Sequence, residues 1–366
     1  MKAPLTRRSE GRFALASFAG THFLVDLASV ILLFHFLSSV RLFAFCLLFY
    51  NFFAFAAEMP LGIVVDLWFK PQRFAALGCW LIVLVYPLYA GLVGVARGSF
   101  ALALGAAVLV GLGNGMFHVG AGAAVIRGSA GRSAPLGVFV APGALGVFLG
   151  TLWGKGAGIV PVVVAPVLLA LCGLLIWQLL NPDEEASATL RRSSSDFAVS
   201  LTGAVAVIAL ACLFLTVSLR SYAGFSFSFS WKTGAIWPAV VVCGVVLGKI
   251  AGGLLGDKFG LRVAALISLG GAALLFLFPA APIVGVLAVL LFNMTMPITL
   301  RALADRLPQA PGFAFGLLTF ALFLGALPIL VGQTQLVRPG WSLAALSMLS
   351  LAVLWVGLGK TVRRDR

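Results

Sequence analysis

The chain of 366 residues is 61% hydrophobic and 10% charged, and its formal net charge is +14. A soluble protein of this length could not bury so much apolar surface, so the composition excludes a soluble enzyme and predicts an all-α integral membrane protein. The basic residues gather on one side of the predicted membrane, which argues against a nucleic-acid partner.

Continuous apolar runs follow one another along the chain, and each approaches the length of about 20 residues that a helix needs to cross a bilayer. Because these runs are unbroken rather than alternating, they favour helices over membrane-spanning strands. About twelve transmembrane helices are predicted, at residues 13–37, 42–66, 74–95, 99–126, 133–153, 159–180, 198–220, 233–256, 263–279, 282–304, 312–334 and 341–359.

The longest polar stretch, 181–197, lies near the middle of the chain. We interpret it as a cytoplasmic linker between an N-terminal six-helix half, 1–180, and a C-terminal six-helix half, 198–366. With both termini in the cytoplasm, eighteen of the 25 Lys and Arg residues lie inside and six outside, as the positive-inside rule requires. Short loops and an Ala/Gly-rich composition indicate a bacterial inner-membrane protein, which we expect to be a monomer surrounded by lipid.

His22 and Asp26 stand one helical turn apart in the first predicted helix. A buried ionisable group costs about 3 kcal/mol at the centre of a membrane helix, so its presence indicates a function. Asp26 is the main candidate for a proton-coupling site, because a carboxyl group in a poorly solvated cavity can exchange a proton near neutral pH. His22 would tune that carboxyl group or share its proton. The alternative is a buried pair that only fixes helix packing.

Glu58 and Lys249 lie 191 positions apart, at matching places in the two predicted halves. Their opposite charges would suit a gate between the halves. They could also act separately, with Lys249 binding an anion and Glu58 carrying a proton. The alternative to both is that each residue pairs locally with a neighbouring helix.

Two loop motifs share the same offset. The stretch Gly253–Arg262 has a Gly-x-x-x-Asp pattern followed by basic residues, and a weaker copy begins at Gly62. The second copy resembles the cytoplasmic loop motif of the major facilitator superfamily (MFS). The residues that would serve as the conformational motif are Gly62, Asp66, Arg73, Gly253, Asp257, Gly260 and Arg262.

The resemblance implies the MFS fold, with two pseudo-symmetric six-helix halves and substrate bound between them. It also implies that Asp66 and Asp257 cap or pair with neighbouring helix ends and stabilise one closed state. Phe69 stands where the family often has glycine, and Met116 stands where an arginine is usual in the fourth helix. The Met116 departure argues against an arginine-centred proton relay in the fourth helix.

Further polar residues fall on helices that the resemblance places around the substrate. Asn114 and His118 lie one turn apart on the fourth helix, and with Asn293 on the tenth they could bind a polar substrate. Hydrogen bonds between helices, worth about 0.6 kcal/mol each, are the alternative. Arg220 either faces the outward vestibule or extends to the membrane interface.

Two further resemblances bear on the direction of transport. The run Gly137–Gly146 resembles a degraded Gly-Pro antiporter motif of MFS exporters, or else is a glycine-rich packing face with a proline kink. The stretches Thr21–Asp26 and Gly111–His118 resemble the fosmidomycin-resistance branch of the superfamily. That branch implies proton-driven export of small, often anionic compounds.

These observations predict a secondary active transporter that moves a small polar, anionic solute by proton-coupled export. The alternatives are proton-coupled uptake or facilitated anion transport, a multidrug exporter, and a non-transporting sensor or partner protein. The sequence contains no P-loop, HExxH or GxSxG motif, and its five cysteines fall within apolar runs without metal-ligand spacing. We therefore expect no enzyme activity, no cofactor and no metal site.

Overall fold

The structure is a computed structural model that describes residues 4–68, 70–93, 99–156, 158–179, 204–225, 227–234, 236–333 and 340–359. The predicted linker, 181–197, lies outside the described residues, so the division of the chain into 1–180 and 198–366 remains a prediction. The described part is helical almost throughout.

Ten of the described helices are long and apolar enough to cross a membrane, and two shorter apolar helices accompany them. Helices satisfy their own backbone hydrogen bonds, which makes them suitable for a solvent without water. The chain is therefore an integral membrane protein. The helices are α1 (Gly11–Leu37), α2 (Phe43–Trp68), α3 (Pro71–Leu92), α4 (Phe100–Gly128), α5 (Ala134–Lys155), α6 (Ile159–Gln178), α7 (Val205–Phe225), α8 (Ile236–Phe259), α9 (Leu261–Phe276), α10 (Pro282–Arg306), α11 (Pro311–Leu330) and α12 (Trp341–Gly357).

Two of these helices are interrupted close to a proline. Helix α5 breaks between Val140 and Gly143, at Pro142, and α10 is interrupted between Asn293 and Thr295. A proline cannot donate to the carbonyl group four residues earlier, so the ladder of helical hydrogen bonds opens there. Backbone carbonyl groups at such a break become available to side chains.

The helices around the candidate site pack in a few close pairs. Helix α1 runs along α5, and α3 runs along α4, within the first six helices. The first six helices meet the last six where α2 packs on α11 and where α5 packs on α8. Small residues permit these approaches: a Cβ on Gly62 would collide with the Gly312 carbonyl oxygen, and one on Gly137 would lie 2.5 Å from the Lys249 carbonyl oxygen.

Candidate functional site

One face of α1 carries three polar residues that are all buried. His22, Asp26 and Ser29 are spaced four and three residues apart, so they follow one another along the same side of the helix. The Nε2 atom of His22 lies 3.3 Å from Oδ2 of Asp26. Only 8% of Asp26 is exposed, so its charge must be balanced inside the protein.

Asn114 of α4 connects this face to α2. Its Nδ2 atom lies 3.0 Å from Oδ1 of Asp26, 3.3 Å from Oγ of Ser29 and 3.2 Å from the hydroxyl oxygen of Tyr50. The amide nitrogen has two hydrogens, so it can donate to only two of the three acceptors at once. The hydrogen bond that Asn114 donates to Oδ1 stabilises the ionised form of the Asp26 carboxyl group.

His118, one turn after Asn114 on α4, completes the cluster. Its Nδ1 atom lies 2.9 Å from the Asn114 carbonyl oxygen, and its Nε2 atom lies 2.8 Å from Nε2 of His22. The same Nε2 atom is 3.7 Å from Oδ1 of Asp26. His22, Asp26, Asn114 and His118 therefore form one buried cluster, which we call the histidine–aspartate cluster.

The break in α5 holds the cluster from a third side. In an unbroken helix the carbonyl groups of Phe139 and Val140 would accept from N–H groups four residues later. At this break the Phe139 carbonyl oxygen instead lies 2.7 Å from Nδ1 of His22. A Cβ on Gly143 would collide with both His22 and Asp26, so only glycine lets α5 approach this closely.

The run Gly137–Gly146 forms a packing face with a proline break, and its resemblance to an antiporter motif stays a prediction. Gly146 and Gly150 continue the same close approach of α5 to α1. The run builds the site by freeing two carbonyl groups, and this role carries no information on the direction of transport.

Lys249 of α8 contacts the other freed carbonyl group. Its Nζ atom lies 2.9 Å from the Val140 oxygen, and the side chain is partly buried. Lys249 is close enough to Arg220 of α7 for their positive charges to repel, and Asp26 attracts it from a distance. Two consecutive carbonyl groups at the break in α5 therefore accept hydrogen bonds, one from His22 of the first six helices and one from Lys249 of the last six.

Glu58 does not meet Lys249 in this structure, so the two residues form no gate between the halves here. Glu58 is fully buried between α4 and α11, where Gly115 and Gly316 leave room for it. Among the described residues neither of its carboxyl oxygens has a hydrogen-bond partner. The Thr319 hydroxyl is nearby, but an ionised carboxylate without a cationic partner would be very costly there, so the neutral acid is the form that this environment accepts.

Arg220 and Asn293 lie on the side of the last six helices. Arg220 is 7% exposed and lines a small cavity with Thr299, Phe315 and Thr319, so it does not extend to the membrane interface. Its Nε atom has no hydrogen-bond partner within the described ranges. Asn293 donates to the carbonyl group four residues earlier in its own helix, at 2.8 Å, and takes no part in the cavity lining.

The two motif aspartates connect the first six helices with the last six. Asp66 at the end of α2 accepts from the backbone N–H groups of Gly312 (3.0 Å) and Phe313 (2.8 Å), at the start of α11. Asp257 at the end of α8 accepts from the N–H and hydroxyl groups of Ser133 (2.6 and 2.7 Å) and from the next N–H group (3.0 Å), at the start of α5. We call the end of the bundle that contains these two caps the motif end.

The other motif residues have local roles at the motif end. The guanidinium group of Arg73 lies over the ring of Trp177, and that of Arg262 over Trp355, each 5.3 Å from the ring centroid. Gly260 has a φ of +82° and precedes the first residue of α9, a conformation that favours glycine. These contacts fix the ends of the helices around the two aspartate caps.

The ligand atoms of His22, Asp26 and His118 lie within 4.8 Å of one another, close enough to consider a metal ion. The sequence offered no metal-ligand spacing because the two histidines are on different helices. Two imidazole ligands of a tetrahedral zinc ion stand about 3.3 Å apart, and the Nε2 atoms here are 2.8 Å apart. A divalent ion would also add positive charge beside Lys249 and Arg220, so the arrangement favours a hydrogen-bonded cluster.

Two hydroxyl groups and two backbone carbonyl groups of the site are not among the residues that the sequence predicts. Ser29 follows Asp26 by three residues, so helical spacing alone could have identified it. Tyr50 lies in a Phe-rich run without any polar spacing to α1, so nothing in the sequence marked it. The carbonyl groups of Phe139 and Val140 became visible only with the break in α5.

The sequence matches no protein-family model and no curated protein. Solved structures match it over nearly its whole length. A variant of the E. coli fucose–proton symporter FucP aligns with a TM-score of 0.71 and 14% identity over 96% of this chain and 100% of that chain. A structure of FucP in the outward conformation, described as an MFS transporter, gives 0.67 and 14% over the same shares.

The human organic anion transporter MFSD10 aligns with a TM-score of 0.65 and 17% identity, over 94% of this chain and 99% of that chain. At such low identities the likeness establishes the fold alone. The chain has the fold of the major facilitator superfamily, as predicted, and the narrower resemblance to the fosmidomycin-resistance branch stays a prediction.

Proposed function

We propose that this membrane protein of the major facilitator fold is a secondary active transporter, which moves a small anionic solute by alternating access and couples that movement to protons. The proposal is carried by one observation, a surplus of positive charge in the interior. Lys249 and Arg220 lie inside the bundle, and no carboxylate of the described chain is within ion-pair distance of either. A small anion between them would supply the missing charge.

The anion site would be formed from α7, α8, α10 and α11. Lys249 would exchange the Val140 carbonyl group for the anion, and Arg220 would bind it with the planar guanidinium group that suits carboxylates and phosphonates. Thr299 and Thr319 offer hydroxyl groups beside Arg220. Lipophilic cations, the usual cargo of a multidrug exporter, would be repelled by the positive charges of Lys249 and Arg220.

The proton would be carried by the histidine–aspartate cluster, with Glu58 as a second protonatable group. Asp26, His22 and His118 are buried together and hydrogen-bonded, as a proton site in a dry interior requires. Glu58 lies between α2, α4 and α11, a place whose exposure to water would change if the helices separated. The cluster is close enough to Lys249 for their charges to interact, and Glu58 interacts in the same way with Asp26.

The anion could move in the direction opposite to the proton (antiport) or in the same direction (co-transport). The sequence prediction is export by antiport, which rests on the Gly-Pro run and on the narrower family resemblance. Electrostatics favours co-transport, because a proton bound near Lys249 attracts an anion and the two bindings then assist each other. A flux measurement decides between them.

The first experiment screens the detergent-purified protein by thermal unfolding against phosphonates, carboxylates, sulfate-like ions, sugars and lipophilic cations. A ligand at about 100 times its Kd adds about 2.7 kcal/mol of stability if it binds only the folded state. We expect one anionic class to stabilise the protein, and Lys249→Ala to abolish that effect. Lys155→Ala, which removes an exposed lysine at the end of α5, is the matched control and should keep it.

The second experiment follows the identified anion in proteoliposomes under an imposed pH gradient, with a pH-sensitive dye inside. Accumulation of the anion together with inward proton movement indicates co-transport. Accumulation of the anion together with outward proton movement indicates antiport. Asp26→Asn should abolish gradient-driven accumulation while the protein still folds, whereas Asp305→Asn, at an exposed ion pair of α10, should not. Normal gradient-driven transport by Asp26→Asn would remove Asp26 from the mechanism.

A further inference from the structure

The two histidines of the cluster meet at one edge of each ring. Their Nε2 atoms are 2.8 Å apart, their ring centroids are 4.4 Å apart, and the rings are perpendicular. This distance is that of a hydrogen bond, so one of the two nitrogen atoms must donate a hydrogen to the other.

The opposite edges of the rings determine where the other hydrogens are. Nδ1 of His22 faces the Phe139 carbonyl oxygen at 2.7 Å, and Nδ1 of His118 faces the Asn114 carbonyl oxygen at 2.9 Å. A carbonyl oxygen only accepts, so both Nδ1 atoms must carry hydrogen. A neutral imidazole has one N–H group, so two neutral rings would present bare lone pairs to each other at Nε2.

We propose that His22 and His118 share an additional proton between their Nε2 atoms, that this is the proton exchanged during transport, and that Asp26 stays ionised as its counter-charge. The inference rests on the proposed proton coupling and changes the location of the proton. The sequence alone points to Asp26 as the proton carrier with His22 as a helper, and it places His118 among the substrate-binding residues.

Asp26 is suited to remain a carboxylate. Its Oδ2 atom lies 3.3 Å from Nε2 of His22, its Oδ1 atom lies 3.7 Å from Nε2 of His118, and Asn114 donates to Oδ1 at 3.0 Å. If the proton were on Asp26 instead, the two lone pairs would still face each other. Protonating the histidine pair removes that repulsion and balances the carboxylate charge in one step.

The surroundings of the pair include charged groups on several helices. Asp26 on α1 and Lys249 on α8 act on the pair directly. Tyr50 and Glu58 on α2 face Asp26, Arg220 on α7 faces Lys249, and α4 and α5 contribute neutral groups. The cations oppose the positive charge that the additional proton brings to the pair, and Asp26 favours it. An anion bound at Lys249 would relieve this opposition, which connects solute binding to proton binding.

Release of the proton has a structural consequence. The protonated pair loses H⁺ to water, leaving two neutral rings whose Nε2 lone pairs face each other. Both Nδ1 atoms are held by hydrogen bonds to backbone carbonyl oxygens. The rings can therefore separate only if one of these hydrogen bonds breaks or if α1 moves away from α4. Deprotonation therefore destabilises the packing of α1 against α4 and α5 that this structure contains.

The chain has only three histidines, so their NMR signals can be assigned by removing one of them. The third, His35, is partly exposed on α1 and stacks edge-on against Phe36. The variant His35→Gln therefore leaves the pair as the only imidazoles. With ¹⁵N-labelled histidine, solid-state NMR of this variant in lipid should show an imidazolium and a through-hydrogen-bond coupling between two nitrogen atoms near neutral pH. Both signals should disappear together on alkaline titration, with release of one proton per protein.

Several results would overturn the proposal. Two neutral rings near neutral pH, or an absent N–N coupling, would mean that the pair does not share a proton. A spectrum that changes when a metal chelator is added would indicate a bound metal ion in place of the proton. The labelled protein needs no substitution inside the pair, so a variant that fails to fold cannot obscure the outcome.

The transport assay separates this inference from the proposed function. Proton-coupled anion transport together with two neutral rings would overturn the inference and leave the proposed function intact. A shared proton in a protein that moves no proton with any anion would refute the proposed function, and with it the transport role of the pair. If both hold, His118→Gln should lose gradient-driven accumulation and the N–N coupling together.

Discussion

Replacing Asp257 by alanine should shift the protein away from the conformation in which the motif end is closed. Asp257 accepts three hydrogen bonds from the start of α5, at 2.6, 2.7 and 3.0 Å. Asp257 lies on α8, one of the last six helices, and it acts as the N-cap of α5, one of the first six. The contact exists only while α5 and α8 are together at this end, so its loss affects one conformation and not the other.

The size of the expected shift follows from the free energy that such a cap contributes. Replacing a capping side chain by alanine costs about 1–2 kcal/mol, and a negative charge at a helix N-terminus adds to the upper end of that range. The equilibrium between the closed and open motif end should therefore move by a factor of about 5–30. Asp66 makes the equivalent contact with α11, and losing both caps should cost about 2–4 kcal/mol if the two act independently.

The assay is a distance measurement between spin labels at the motif end, in a cysteine-free background. Gly128 and Phe259 are exposed positions at the ends of α4 and α8, and they are suitable for the labels. Asp305→Ala is the matched control, because its ion pair with Arg301 is exposed and lies within one helix. It should change the populations by less than a factor of about 5. Unchanged populations in both Asp257→Ala and Asp66→Ala would refute the role of the caps.

Three further predictions concern stability. Glu58→Gln should change the unfolding free energy by less than about 1.5 kcal/mol, since the buried acid is already neutral and the shape is kept; a loss above about 3 kcal/mol in thermal unfolding would indicate a buried ion pair instead. Gly143→Ala should cost about 1–3 kcal/mol and reduce transport, because the methyl group would overlap His22 and Asp26; native stability and flux would contradict that packing. Gly260→Ala should cost about 1–2 kcal/mol through its φ of +82°, whereas Gly11→Ala, at a helical site with open space, should be neutral or stabilising; equal effects on the melting temperature would exclude backbone strain.

The positions of the membrane helices could be predicted from local sequence with small errors. The fourth helix was expected at 99–126 and runs from Phe100 to Gly128, and the eighth was expected at 233–256 and runs from Ile236 to Phe259. The length of an apolar run is a local property, and in lipid nearly every such run must become a helix. The ends were less certain, because capping residues such as Asp257 come from distant helices.

The candidate site could be predicted only as a set of residues. Charged and polar side chains are rare in these apolar runs, so His22, Asp26, Asn114, His118 and Lys249 could be selected one by one. Their partners could not be predicted, because a partner depends on how each helix is rotated and packed. The expected gate between Glu58 and Lys249 is the clearest example, since each of the two faces a different helix.

What the sequence by itself determined is therefore the membrane character, the number of apolar helices, the two loop motifs and a short set of buried polar residues. Each of these follows from composition or from spacing along one helix. Only the tertiary structure decided that His22 meets His118 across 96 positions of sequence, that α5 breaks to offer two carbonyl groups, and that Arg220 is left without a carboxylate in the described interior. These features depend on distances between helices, which are determined by close glycine contacts and by a proline that cannot donate a hydrogen bond.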